Sequence, residues 1–200
     1  METEEIREKK EPKRLPVWAC ILLFALGLFV CMGLYGTIGF GLLSLILGDE
    51  ARHPGLLVYT VTEASMLLSV LTPAVILLYF ERRPFSDLGL TLKGHVRGLW
   101  YGLLVAMLLY LIGFGLSLAI GEVEVTGFQF DPLNLLGTFV FCLLVALTEE
   151  IMMRGYILGR LLHTRMNKFL ALFVSALLFA LLHIFNPNVA FLPMLNLVLA

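Results

Sequence analysis

From Leu15 to Leu47 the chain reads LPVWACILLFALGLFVCMGLYGTIGFGLLSLIL without one charged side chain. A bilayer core about 30 Å thick is crossed by ~20 apolar residues in a helix. The stretch is overlong for one crossing, yet too short for two with a turn between them. Its glycines, Gly27, Gly33, Gly36, Gly39 and Gly41, fit tilt, a kink or an extension into the interface, and we count it as one span. That count decides on which side of the membrane every later loop falls.

Five further apolar segments follow, from Leu56 to Phe80, Leu99 to Ile120, Leu133 to Leu162, Phe169 to Phe185, and Val189 to the end. Cytoplasmic loops carry the Lys and Arg excess of a membrane protein. With a single first crossing and the N-terminus inside, 13 of the 14 Lys and Arg fall inside: Arg7, Lys9, Lys10, Lys13 and Arg14, then Arg82, Arg83, Lys93 and Arg97, then Arg154, Arg160, Arg165 and Lys168. Only Arg52 lies outside. The outer loops are acidic, with Asp49 and Glu50 in one and Glu122, Glu124 and Asp131 in the other. Two crossings in the first segment would carry the middle basic cluster across the membrane and erase the asymmetry. The expected fold is therefore all-α: a polytopic transmembrane helical bundle of about six spans, the last truncated, with a cytoplasmic N-terminus.

Composition agrees. Of 200 residues, 60% are hydrophobic and 14% charged, with mean hydropathy +0.94; about a quarter of the residues in a soluble domain are charged, so a water-soluble globular fold is excluded. The net charge of −1 says nothing about partners, and the basic clusters sit between apolar runs, so the expected surroundings are a lipid bilayer and not nucleic acid. Residues 1–14 mix five acidic with five basic side chains and read as a cytosolic tail, not a cleavable signal. Residues 15–200 form one transmembrane domain. Short loops suit a multi-pass protein of a bacterial inner (plasma) membrane. Cys20, Cys31 and Cys142 lie within apolar runs and read as small buried packing residues rather than a disulfide framework. The sequence stops at Ala200 inside an apolar run with no polar flank, which reads as a fragment.

Within the fourth segment the chain reads Leu147-Thr148-Glu149-Glu150-Ile151-Met152-Met153-Arg154-Gly155-Tyr156. Each charge at the centre of a membrane helix costs about 2.5 to 3.5 kcal/mol on the lenient insertion scale, so compensation is required. Glu150 and Arg154 are four apart on one helical face and can pair, which makes Glu150 structural. Glu149 is turned about 100° from Glu150 and needs a partner from another helix. His183, four residues after Phe179, is the candidate. Glu149 precedes Arg165 by 16 positions and His183 follows Lys168 by 15, about 24 and 22 Å along their helices. The two side chains thus sit at similar depth on consecutive antiparallel spans. Such a pair can act as general base on a water molecule, or as two ligands of a divalent metal such as zinc. Hydrolysis is the chemistry it suggests.

Glu149-Glu150-xxx-Arg154, followed at this distance by Phe179-xxx-His183, resembles the first two signature motifs of the CAAX protease and bacteriocin-processing family (CPBP or Abi). The resemblance runs over residues 133–200. It implies an intramembrane endopeptidase, whose eukaryotic members trim the last three residues from prenylated CAAX proteins. Its substrate would be a peptide or a prenylated protein. On that pattern Glu149 activates water and His183 helps bind it, while Glu150 and Arg154 match motif positions of less defined role. Metal dependence is left open by the resemblance. Family members carry a further His-xxx-Asn motif on a later helix, where it would supply oxyanion stabilisation. Asn186, Asn188 and Asn196 have no accompanying histidine, so the protease region is expected to be C-terminally incomplete.

Two other functions compete. A non-enzymatic membrane protein on the same fold, such as a bacteriocin-immunity or scaffold factor, would use the charged cluster only for packing. A proton-coupled transporter would use Glu63 with Glu149, but no repeat supports it. Glu63 lies beside Thr62, Ser65, Ser69 and Thr72, a stripe that reads as interhelical hydrogen bonding. Gly98-xxx-Gly102 and Gly155-xxx-Gly159 read as sites of close helix approach.

Overall fold

The computed structural model describes residues 15–91, 93–184, 186 and 190–199. The tail over 1–14, the segment ends at Phe185 and Val189, Asn188 and Ala200 lie outside the described residues. Among those described there is no strand. The helices are α1 (Val17–Leu47), α2 (Leu56–Phe80), α3 (Val96–Ala119), α4 (Pro132–Glu149), a π-helical segment (Glu150–Leu158), α5 (Gly159–Leu162), α6 (Lys168–Leu182) and α7 (Phe191–Leu199), with 3-10 turns at Gly48–Arg52 and Phe85–Leu88. Among the described residues, four runs are long and apolar enough to cross a membrane: Val17–Arg52, Leu56–Phe80, Val96–Ala119 and Pro132–Leu162. The later apolar helix Lys168–Leu182 is shorter, at 15 residues.

The first apolar stretch is one uninterrupted helix. Two of its glycines serve packing rather than bending. A methyl on Gly27 would lie 2.8 Å from Pro73 Cβ, and one on Gly39 would lie 2.5 Å from Ser65 Oγ, so α1 and α2 approach closely because these positions lack a side chain. Gly33, Gly36 and Gly41 meet nothing within 4 Å. The hydroxyl stripe of α2 also departs from expectation. Thr62, Ser65 and Ser69 donate back to carbonyls four residues earlier in their own helix, the usual refuge of a hydroxyl in an apolar helix. Only Thr72 reaches across, 3.0 Å from Tyr35 Oη.

The core joins Phe24 of α1, Val70, Ala74 and Leu78 of α2, Leu88 of the second 3-10 turn, and the π-helical segment around Tyr156. The outer surface is apolar almost throughout, as a chain solvated by lipid tails requires. Helix α3 is the extreme case, with no buried residue. The cysteines divide: Cys20 is buried, Cys31 half-buried and Cys142 exposed, and all three are free thiols. Cys142 is therefore not the buried packing residue its apolar neighbours suggested, because its side of α4 faces outward.

Candidate active site

The helix that carries the acidic pair starts with a conventional cap. Asp131 accepts from the backbone N–H groups of Leu133 and Asn134 at 3.0 and 3.1 Å, and Pro132 takes the first helical position, where no N–H is needed. The α register ends at Glu149. From Glu150 to Leu158 the backbone is π-helical, and α geometry resumes only for Gly159–Leu162. This π segment lies where hydropathy predicts one continuous α-helical span. Such insertions are rare and concentrate at functional sites, because the wider ring re-aims side chains and loosens carbonyls from their i−4 partners.

One loosened carbonyl has a visible taker. Ser175 Oγ of α6 donates to Met153 O at 3.2 Å, inside a buried contact. That bond fixes α6 beside the π segment. Asn167 starts α6 by accepting from Phe169 N–H at 2.8 Å, and Ser175, Phe179 and His183 then follow one another at intervals of four, along one stripe.

At the end of that stripe His183 Nε2 lies 3.5 Å from Glu149 Oε1. The expected pair is thus brought together from consecutive helices. His183 occupies the C-cap of α6, one residue past its last helical position. Its Nδ1 is 2.9 Å from Phe179 O. A carbonyl only accepts, so in that bond the proton is on Nδ1; in the neutral ring Nε2 and Glu149 Oε1 are then two facing acceptors, which one water can bridge by donating to both. The Phe179 ring packs 4.6 Å from the imidazole at 59°, covering one side of it. The side chains of His183 and Glu149 keep 22% and 38% of their surface exposed, enough for a water to reach both.

Glu150 and Arg154 form the expected ion pair within their own helix, both about half exposed. A cleft of about 140 Å³ opens beside them, lined by Glu149, Glu150, Arg154 and Phe179 and by apolar side chains such as Leu158 and Leu172. Four of the five motif side chains therefore face one space with a largely hydrocarbon far wall. Asn186 and Asn196 are exposed and take no part in the contacts of the pair. Glu63 stays half-buried on α2, with no polar partner among the described residues.

No group of three or more His, Cys, Asp or Glu side chains comes together among the described residues. Glu149 and His183 supply two donors, one short of the three protein ligands a catalytic zinc takes. The described donor set does not fit that ion.

Two features of the site go beyond what motif and spacing imply. Arg160, counted among the inner basic residues, forms a buried ion pair with Glu81 at the end of α2, with both side chains under 10% exposed. Cys20 joins them, its thiol 3.0 Å from Glu81 Oε1, and the guanidinium lies over the Tyr156 ring at 5.6 Å. Tyr156 in turn stacks on Phe24 at 4.3 Å. The second feature is Gly155. A methyl there would lie 2.7 Å from the Leu88 carbonyl oxygen, and one on Gly159 would lie 3.7 Å from that of Asp87. The spaced glycines do mark a close approach, but of a loop backbone instead of a helix. The lone hydroxyl at Ser175 and the glycine pair were the signals for these contacts; the Arg160–Glu81 pairing left none, because its partners are 79 positions apart.

No curated protein and no solved structure matches the chain significantly. Residues 131–200, which hold every motif side chain of the cleft, match the family model of the Rce1-like proteins, described as type II CAAX prenyl endopeptidase Rce1-like.

Proposed function

We propose that the protein is an intramembrane endopeptidase of the CAAX type that hydrolyses a peptide bond of a prenylated or otherwise membrane-anchored substrate. The observation that carries this reading is the 3.5 Å approach of Glu149 Oε1 to His183 Nε2, with Glu149 lining a cleft whose far wall is largely hydrocarbon. Glu149 takes a proton from a water held between the two side chains, and the hydroxide oxygen bonds to the scissile carbonyl carbon. When the tetrahedral intermediate collapses, the C–N bond breaks and Glu149 returns the proton to the leaving amine. His183, held by Phe179 O, orients the water through Nε2. Glu150 and Arg154 neutralise each other beside the reacting carboxylate, so the acidic pair does not carry two uncompensated charges.

The membrane disposition belongs to the same proposal. Residues 1–14 form a cytosolic tail and 15–200 a transmembrane domain of about six spans, with the N-terminus inside a plasma membrane of bacterial type. The large share of Lys and Arg assigned to the inner side supports this orientation, and the family match supports a peptide substrate.

The test is hydrolysis itself. The full chain in liposomes is given a peptide bearing an S-prenylated cysteine four residues from its C-terminus, and products are read by mass spectrometry in H₂¹⁸O. Release of the last three residues, with one ¹⁸O in the new carboxylate of the prenylated fragment, is expected. An intact peptide after prolonged incubation would move the assignment to a non-enzymatic membrane protein.

A further inference from the structure

Glu150 and Arg154 line a second cleft, on the side away from Leu172 and Phe179. It holds about 230 Å³, and its other wall is the connection between α2 and α3: Asp87, Leu88, Gly89 and Leu90, facing Gly155. The two clefts differ in their far walls. That of the first is α6 and α7, with Leu172, Phe179 and Ser175; that of the second is the non-helical backbone of residues 87–90, opposite Leu147, Glu150, Ile151 and Arg154. Irregular backbone beside a membrane span is stable only where protein or water satisfies it, and here protein does so. Arg83 pairs with Asp87 at 3.4 Å, Gly89 adopts φ +76° and returns its N–H to Ser86 O at 3.0 Å, and Leu88 is buried under the π segment. The wall is therefore built, and Leu90 is left partly exposed at its lip.

Both clefts share Glu150 and Arg154 in their lining, so they adjoin at that ion pair. A membrane-anchored substrate has two chemically unlike parts: an apolar anchor, and a peptide that leads from the scissile bond into water. The aliphatic and phenyl side chains that α6 and α7 turn to the first cleft suit the anchor. The second cleft adjoins a connection that bears Arg82, Arg83, Lys93 and Arg97, the mark of a water-facing side.

We propose that the cleft between residues 87–90 and the Glu150–Gly155 stretch is the subsite for the substrate's polypeptide segment on the N-terminal side of the anchored residue. This rests on the peptidase reading, which it extends from the reacting atoms to the residues that select among substrates. Leu90 and Asp87 become specificity determinants, contributed by a segment outside the region matched by the family model.

A nonapeptide with an S-prenylated cysteine four residues from its C-terminus and a benzoylphenylalanine three residues before that cysteine tests this. The full chain in liposomes is irradiated with it and the attachment site mapped by mass spectrometry. Attachment within 87–90 or 150–155 is expected, together with at least a fivefold lower yield in Leu90→Trp, where the indole fills the cleft. Leu111→Trp on exposed α3 should label like the native chain. Attachment confined to other segments would overturn the proposal, as would undiminished yield in a folded Leu90→Trp protein. Mapping on the native chain does not depend on whether that variant folds. Attachment at 87–90 without hydrolysis would instead remove the peptidase reading and leave a peptide-binding site standing.

Discussion

Glu149 and Glu150 are adjacent in the chain and chemically alike, yet their surroundings give them different work. Glu150 is held by Arg154 within its own helix, whereas Glu149 faces His183 from the next. This division is legible in the sequence, because a spacing of four finds its partner on the same helical face and the neighbouring position does not. The role of Gly155 is not legible there, since a glycine pair in a membrane helix announces a close approach without naming what approaches. The oxygen of Leu88 sits where a Gly155 methyl would need to be. Gly155→Ala should therefore lower the thermal midpoint in detergent by the equivalent of about 1–3 kcal/mol, the range for overpacking a filled contact. Gly98→Ala, which meets nothing within 4 Å, should leave the midpoint unchanged or raise it. Equal effects at the two positions would contradict the contact.

Among the elements, the limits of the helices followed from hydropathy to within a few residues, because the bilayer fixes how long an apolar run must be. The π-helical register of Glu150–Leu158 did not, since a shift from i−4 to i−5 bonding leaves no trace in hydropathy. Nor did the clamp at the far end of that helix. Arg160, Glu81 and Cys20 belong to three separate helical runs, and their buried contact ties α1, α2 and α5 together. Removing one partner strands the other charge in a desolvated site. Arg160→Met alone should cost about 3–5 kcal/mol, while Glu81→Leu combined with Arg160→Met should recover most of it. Thermal unfolding of the two proteins checks this, and a double variant no more stable than the single one would show that the pair itself stabilises the fold. Ser175 acts at the same level, through one bond to Met153 O. Ser175→Ala should change stability by only ~0.6 kcal/mol, the mean for an interhelical hydrogen bond in a membrane. If that bond sets the register that brings His183 to Glu149, kcat should fall by up to about 10²-fold with KM little changed. A purely structural hydroxyl would leave kcat as it was.

For the molecule as a whole, the all-α architecture was readable because lipid permits so few alternatives to helices. How the spans pack was not. Helix α3 is as apolar as its neighbours, yet it has no buried residue, while α1 and α2 interlock through Gly27 and Gly39. Uniform hydropathy cannot distinguish a lipid-facing helix from a packed one. The proposed orientation rests on charge and has a direct check: in sealed spheroplasts, an impermeant maleimide should label Arg52→Cys, and should label Lys93→Cys only after permeabilisation. The reverse pattern would invert the topology and place the cleft beside residues 87–90 on the wrong side for a cytosolic peptide.

Everything assigned to the site depends on Glu149 being the group that activates water. The decisive comparison is the rate of prenylated-peptide hydrolysis in liposomes by the native chain and by Glu149→Gln, which keeps the side chain's shape and removes its basicity, at matched insertion and thermal stability. A fall on the order of 10²- to 10⁴-fold in kcat with KM nearly unchanged is expected. A Glu149→Gln protein that cleaves at the native rate would contradict the assignment.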